Sequence, residues 1–175
     1  MPKSTFKKSG KKNGTKKSRR QICFGLGGST FGKSGAKEGS LKKSGSVQAF
    51  EQKIILTFLG LLNTVKLFHW KTQSYATHKA TDELYSSLNE NVDKFVEVLL
   101  GKIGNRVNLL KTHTIPLKDF SSAEEFIVEI NRMKTFLVDL DSNDAMHIMS
   151  NSDLYNIRDE ILGDLNQTLY LLTFR

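Results

Sequence analysis

The sequence predicts an all-α protein: a four-helix bundle with a long crossover between its second and third helices, preceded by a basic low-complexity arm. Three observations predict it. Apolar residues recur every three to four positions in four separate stretches beyond residue 46, and no stretch alternates with the period of a strand. Charge is divided unevenly: residues 1–47 hold 13 Lys/Arg against one acid, a net of +12, while residues 48–175 hold 13 against 17, a net of −4, which together give the +8 of the chain. Nine of the 13 glycines also lie in the first 47 residues. With 175 residues and 38% apolar content, one domain plus an appendage is expected: an arm over 1–46 and a bundle over 47–175.

The arm has few large apolar side chains, so burial cannot offset its ordering entropy, and alone it is expected to be disordered. It contains a repeat. Ser4-Thr5-Phe6-Lys7-Lys8-Ser9-Gly10 returns as Ser29-Thr30-Phe31-Gly32-Lys33-Ser34-Gly35, and more loosely as Ser40-Leu41-Lys42-Lys43-Ser44-Gly45. Two readings stand side by side. In the first, Lys7, Lys8, Lys11, Lys12, Lys16, Lys17, Arg19, Arg20, Lys33, Lys42 and Lys43 neutralise DNA or another polyanion. In the second, Phe6, Phe31 and Leu41 are apolar anchors that seat a strap in repeated pockets of an assembly.

Gly27 to Ser34 also satisfies G-x-x-x-x-G-K-[ST]. A phosphate-cradling loop needs a buried strand before it and a helix after it. Ile22-Cys23-Phe24 is a meagre strand, and Gly-Ala-Lys-Glu-Gly-Ser after Ser34 will not start a helix, so no nucleotide is expected. Cys23 is the one cysteine, which rules out an intrachain disulfide and a thiol nucleophile with a folded base. The basic N-terminus lacks an apolar signal core, and the apolar run from Ile54 to Leu62 is too short for a bilayer. An intracellular (cytoplasmic) or particle-enclosed protein without membrane insertion is expected, not a secreted one.

Ser46 is a plausible N-cap for the first helix, whose stripe is Val47, Phe50, Ile54, Phe58, Leu61 and Val65. Leu56, Leu59 and Leu67 place apolar surface on other sides, which suggests contact with another subunit. The helix ends near Trp70, and Lys71 to Tyr75 turn into the second. From His78 that helix carries Ala80, Leu84, Leu88, Val92, Phe95 and Leu99 at helical spacing, with Gly101 closing it. Ile103 to Phe120 is long for a plain loop, so it should be a short helix or an extended crossover. Ser121 or Ser122 caps the third helix, with Glu124 and Glu125 in its first turn. Its inward stripe runs from Phe126 to Leu140. Asp141 to Asp144 breaks the pattern, Ala145 to Met149 can add a turn, and the last helix starts at Ser152 or Asp153.

The polar groups of the second helix suggest chemistry. At about 100° per residue, His78, Asp82, Asp93 and Glu97 fall at roughly 0°, 40°, 60° and 100°, on one face. Yet fifteen residues separate His78 from Asp93, about 22 Å along the axis, so one helix cannot bring both to one ion. An antiparallel copy across a two-fold axis can. Taken singly, each has a plain structural reading: a packing histidine, a capped aromatic corner at His69-Trp70, a solvated acidic face. His113 and His147 are read as structural only.

The order His69-Trp70, His78, Asp82, Asp93, Glu97 resembles the Dps mini-ferritins, a branch of the ferritin-like bundles. HWKTQSYATHKA also resembles ferritin-like proteins encoded by phages and large DNA viruses. The nine-residue spacing from His69 to His78 is three shorter than the usual pattern of the Dps family. The resemblance implies a ferritin-like four-helix bundle and a homodimer or larger oligomer. It also implies an iron-oxidising site formed by histidines of one chain and carboxylates of its mate, onto which His69, His78, Asp82, Asp93 and Glu97 map, beside Trp70. Ordinary ferritins use Glu-x-x-His, which this chain lacks. The functions expected are therefore two: a Dps-like ferroxidase whose arm binds DNA, or a structural virus protein whose arm docks on capsid proteins or genome.

Overall fold

A computed structural model describes residues 45–147 and 151–174, whose regular elements are helices, with no strand among them. The order is α1 (Gly45–Lys71), α2 (Tyr75–Ile103), α3 (Ala123–Val138), a 3-10 turn (Asp139–Ser142), α4 (Asp144–His147) and α5 (Ser152–Leu171). The arm residues named above, Phe6 to Lys43, lie outside the described residues, as do the phosphate-loop pattern and Cys23.

The predicted stripes form the core. Phe58, Leu88, Phe95, Leu99, Phe126, Ile130, Leu154 and Ile161 are sealed from solvent, and Phe58 meets Phe95 edge-on at 5.3 Å. Leu56, Leu59 and Leu67 on α1 are half-buried within the single chain.

Three helix ends differ from expectation. α1 includes Ser46 within its first turn rather than starting after it, a shift within the usual fraying of helix ends. α2 starts at Tyr75, before His78, because Ser74 in extended conformation caps the Thr77 N–H. It also runs past Gly101 to Gly104, whose φ of 69° is the left-handed conformation that favours glycine at a helix end. The extra turn packs Ile103 against the core. At α3 both candidate serines contribute. Ser122 accepts from the Glu125 N–H, while the Glu125 carboxylate accepts from the N–H and hydroxyl of Ser121.

Side-chain pairs fix the directions. Lys102–Asp153, Lys94–Glu160 and Asn91–Asp164 lie side by side at 3.0, 3.4 and 2.9 Å, so α2 and α5 are antiparallel. Phe68 stacks on Phe126 at 4.2 Å and Lys53 sits over Phe136 at 5.6 Å, so α1 and α3 are antiparallel too. The connection from α2 to α3 must therefore climb the whole length of α1. Gln52 donates to the Asn108 carbonyl at 2.9 Å near one end, and Lys71 pairs with Asp119 at 3.0 Å at the other. Residues 52 to 71 of a helix cover about 28 Å, which eleven residues reach when extended, even with the turn that Thr112 closes onto the Leu109 carbonyl. No helix forms there.

Lys118 of the connection and Arg132 both grip Glu129, at 2.7 and 2.5 Å. Burial pushes the Glu129 carboxyl upward, but hydrogen bonds from Arg132 and Lys118 outweigh it and hold the group below the usual carboxylate range. Arg158, buried on α5, anchors the 3-10 turn through Asp141 and also pairs with Asp159 at 2.8 Å.

Candidate metal centre

The short turn between α1 and α2 brings His69 and His78 together inside one chain. Residues 72–74 leave no slack, so the last turn of α1 lies against the first turn of α2. The two imidazoles stack with centroids 3.9 Å apart and planes 25° from parallel. Each donates from Nδ1 to the backbone carbonyl of the other at 3.1 Å. Thr81 is fully buried beneath them, with its hydroxyl 3.3 Å from His69 Nδ1 and donating to the carbonyls of Thr77 and His78.

This clasp settles the tautomers. A carbonyl only accepts, so each ring carries its proton on Nδ1, and in the neutral form its lone pair is on Nε2. Metal-ligating histidines are held in this way, with the second ring nitrogen on a backbone carbonyl. His69 Nε2 faces the Asp82 carboxylate at 3.8 Å, too far for a hydrogen bond. Two acceptors facing each other across that gap leave room for a cation between them.

Of the five residues predicted to ligate metal, three thus gather at one end of α2: His69 buried, His78 half-buried and Asp82 exposed. Asp93 and Glu97 are exposed further along the same helix, and Glu97 borders a depression of about 900 Å³ at its far end with Gly101, Gly104 and Arg106. Among the described residues, no three His, Cys, Asp or Glu side chains of one chain converge closely enough to hold a metal ion. The donor types fit iron, but one chain presents only an incomplete set. Trp70 is 69% exposed, with the Lys66 ammonium 5.8 Å from its ring and 4.5 Å from that of Tyr85. His113 and His147 are exposed and stand apart from the clasp, on the connection and α4.

Thr81 escaped the sequence reading. Its signal was its place three residues after His78 and four after Thr77, where a hydroxyl can reach back to both carbonyls.

No helix among the described residues is long and apolar enough to cross a membrane. No solved structure matches the chain. An Enterobacteria phage T4 protein, described as an uncharacterized 14.6 kDa protein in the mobD-ri intergenic region, is 31% identical over 121 residues, covering 66% of this chain and 85% of the phage protein. The model of a family of unknown function, DUF5856, matches residues 69–172, from the first histidine of the clasp to just beyond the end of α5. The chain, with a relative in a phage, belongs to the DUF5856 family.

Proposed function

We propose that the chain is a ferritin-like, Dps-type protein. In this reading it pairs at least as a two-fold dimer and oxidises ferrous iron, its substrate, between two chains, while its basic arm holds DNA or a particle surface. The observation that carries the reading is the division of donors along α2. His69, His78 and Asp82 stand at one end, and Asp93 and Glu97 stand exposed about 22 and 28 Å from His78 at 1.5 Å per residue. An antiparallel mate brings each half-site to its complement. The clasp supports it by holding both Nε2 atoms free of protons in the neutral rings. The single crossover running the length of α1 supports a ferritin-like four-helix bundle, in which one such connection separates the two helix pairs.

The test is oxidation of ferrous iron with peroxide, followed alongside bound metal and mass in solution. Wild type should turn iron over, and His78→Ala and Asp93→Ala should each stop it. A monomer in solution, or wild type no faster than the double variant, would sink the reading.

The clasp also favours a second reading. Closing the turn is a sufficient structural reason for both histidines, whether or not iron binds. The chain then serves as a non-enzymatic structural component of a virus particle, a minor capsid or genome-associated protein, with the bundle as block and the arm as strap. The phage T4 relative supports a viral setting. Inactivity toward iron, together with incorporation into a particle, is the outcome it expects.

A further inference from the structure

The seam between α1 and α3 is not closed by side chains. It leaves a cavity of about 510 Å³, with Pro116 and Lys118 of the connection on its border. Leu56, Leu61, Met133 and Phe136 give it apolar walls.

Gly60 keeps it open. Glycine in the middle of a 27-residue helix weakens that helix relative to alanine. Nothing in the fold demands it here: a Cβ at Gly60 would meet no atom within 4 Å, and the positive φ among the described glycines is at Gly104. Thr57 and Thr64, a turn away on either side, are small as well, and Thr64 turns its hydroxyl back onto the Gly60 carbonyl at 2.8 Å. The helix gives up stability at a place where the result is empty volume.

The charge around the cavity selects its occupant. Lys53, Lys118 and Arg132 line it against the single carboxylate of Glu129. Glu129 is satisfied by Lys118 and by two donors of Arg132, while Lys53 lies over the Phe136 ring rather than on a carboxylate. Apolar walls and a surplus of cations, in a volume within the range of ligand pockets, suit a small organic anion with an apolar body. We propose that this seam binds an aliphatic or aromatic monocarboxylate, its tail between α1 and α3 and its head among Lys53, Lys118 and Arg132. Nothing in this assignment depends on iron.

The test uses the full chain, with decanoate as ligand and anilinonaphthalene sulfonate as fluorescent reporter. Decanoate should displace the reporter at one site per chain, and decylammonium should bind at least about tenfold more weakly. Gly60→Leu, which fills the space with a good helix former, should weaken decanoate by about tenfold or more without lowering Tm. Lys53→Glu, at an exposed position, should weaken decanoate while leaving decanol unaffected. No decanoate binding, equal affinity for the cationic analogue, or full binding in both variants overturns the proposal. So does a Gly60→Leu chain whose sedimentation mass changes while decanoate binding persists, since the seam is then a contact between copies.

Discussion

The rings of His69 and His78 stack at 3.9 Å, and each Nδ1 donates to the backbone carbonyl of the other residue at 3.1 Å. The pairing is reciprocal, so it ties both strands of the α1–α2 turn at once. Removing either imidazole leaves a carbonyl without that donor. His69 is buried to 6% exposure and also meets Thr81, so its loss leaves a hole as well. His69→Ala should cost about 2–4 kcal/mol and His78→Ala about 1–2 kcal/mol. Urea unfolding without added metal measures both, and equal midpoints for the two variants and wild type would show that the clasp contributes nothing.

Glu129 sets a pH dependence whose sign follows from its partners. Its folded-state pKa lies below the unfolded value of about 4.3, because the hydrogen bonds from Arg132 and Lys118 outweigh burial. A carboxyl lowered on folding stabilises fully above the unfolded value, and the contribution is lost as pH falls through the folded value. Glu129→Gln should therefore be less stable than wild type by about 1–3 kcal/mol at pH 7. The gap should close on acidification below about pH 4.3. Thermal melts of both chains across that window check it, and a gap that is constant with pH contradicts the assignment.

Much of this architecture is legible in the chain. Residues such as Ile54, Leu88, Ile130 and Ile161 repeat at helical spacing and are buried where the spacing places them. The Ser122–Glu125 cap is written in residues three apart, so local rules suffice. Gly101 and Gly104 look equivalent as stop signals, and the packing of Ile103 on the core decides between them. The clasp was illegible for a similar reason. The histidines marked a site, but their stacking depends on how tightly residues 72–74 turn, which periodicity does not report. The seam at Gly60 was hidden as well, because a glycine in an apolar run shows its effect only beside its neighbours on α3.

The arm separates the two functional readings by what it tolerates. If it neutralises phosphates, removing residues 1–44 should abolish DNA binding while the helical signal of the body persists. Affinity should then fall linearly in log salt, and scrambling the arm at constant charge should change little. If it is a strap, replacing Phe6, Phe31 and Leu41 by Ser keeps every lysine but removes three anchors worth about 1.5–3 kcal/mol each when fully buried. Particle incorporation and DNA retention are measured for the scramble and for the triple variant. Full incorporation of both would return the arm to plain polyanion binding.

The sharpest expectation comes from the separation of His78 and Asp93 on one helix. If each site takes histidines from one chain and carboxylates from its mate, the His78→Ala and Asp93→Ala chains are each inactive for a different half. Co-expressed, they form mixed dimers in which a chain retaining His78 faces a chain retaining Asp93. One of the two sites is then intact and the other carries both defects. Random pairing makes half of the dimers mixed, so iron oxidation should return to about one quarter of the wild-type rate per chain in the mixture, and to about one half in purified mixed dimers. A site built within one chain gives no recovery in any mixture. Stopped-flow oxidation of ferrous iron by peroxide, on dimers purified with a different tag on each chain, reads the difference directly. Tag-selected mixed dimers that are as inactive as either parent would place the donors of each chain in separate, unconnected sites.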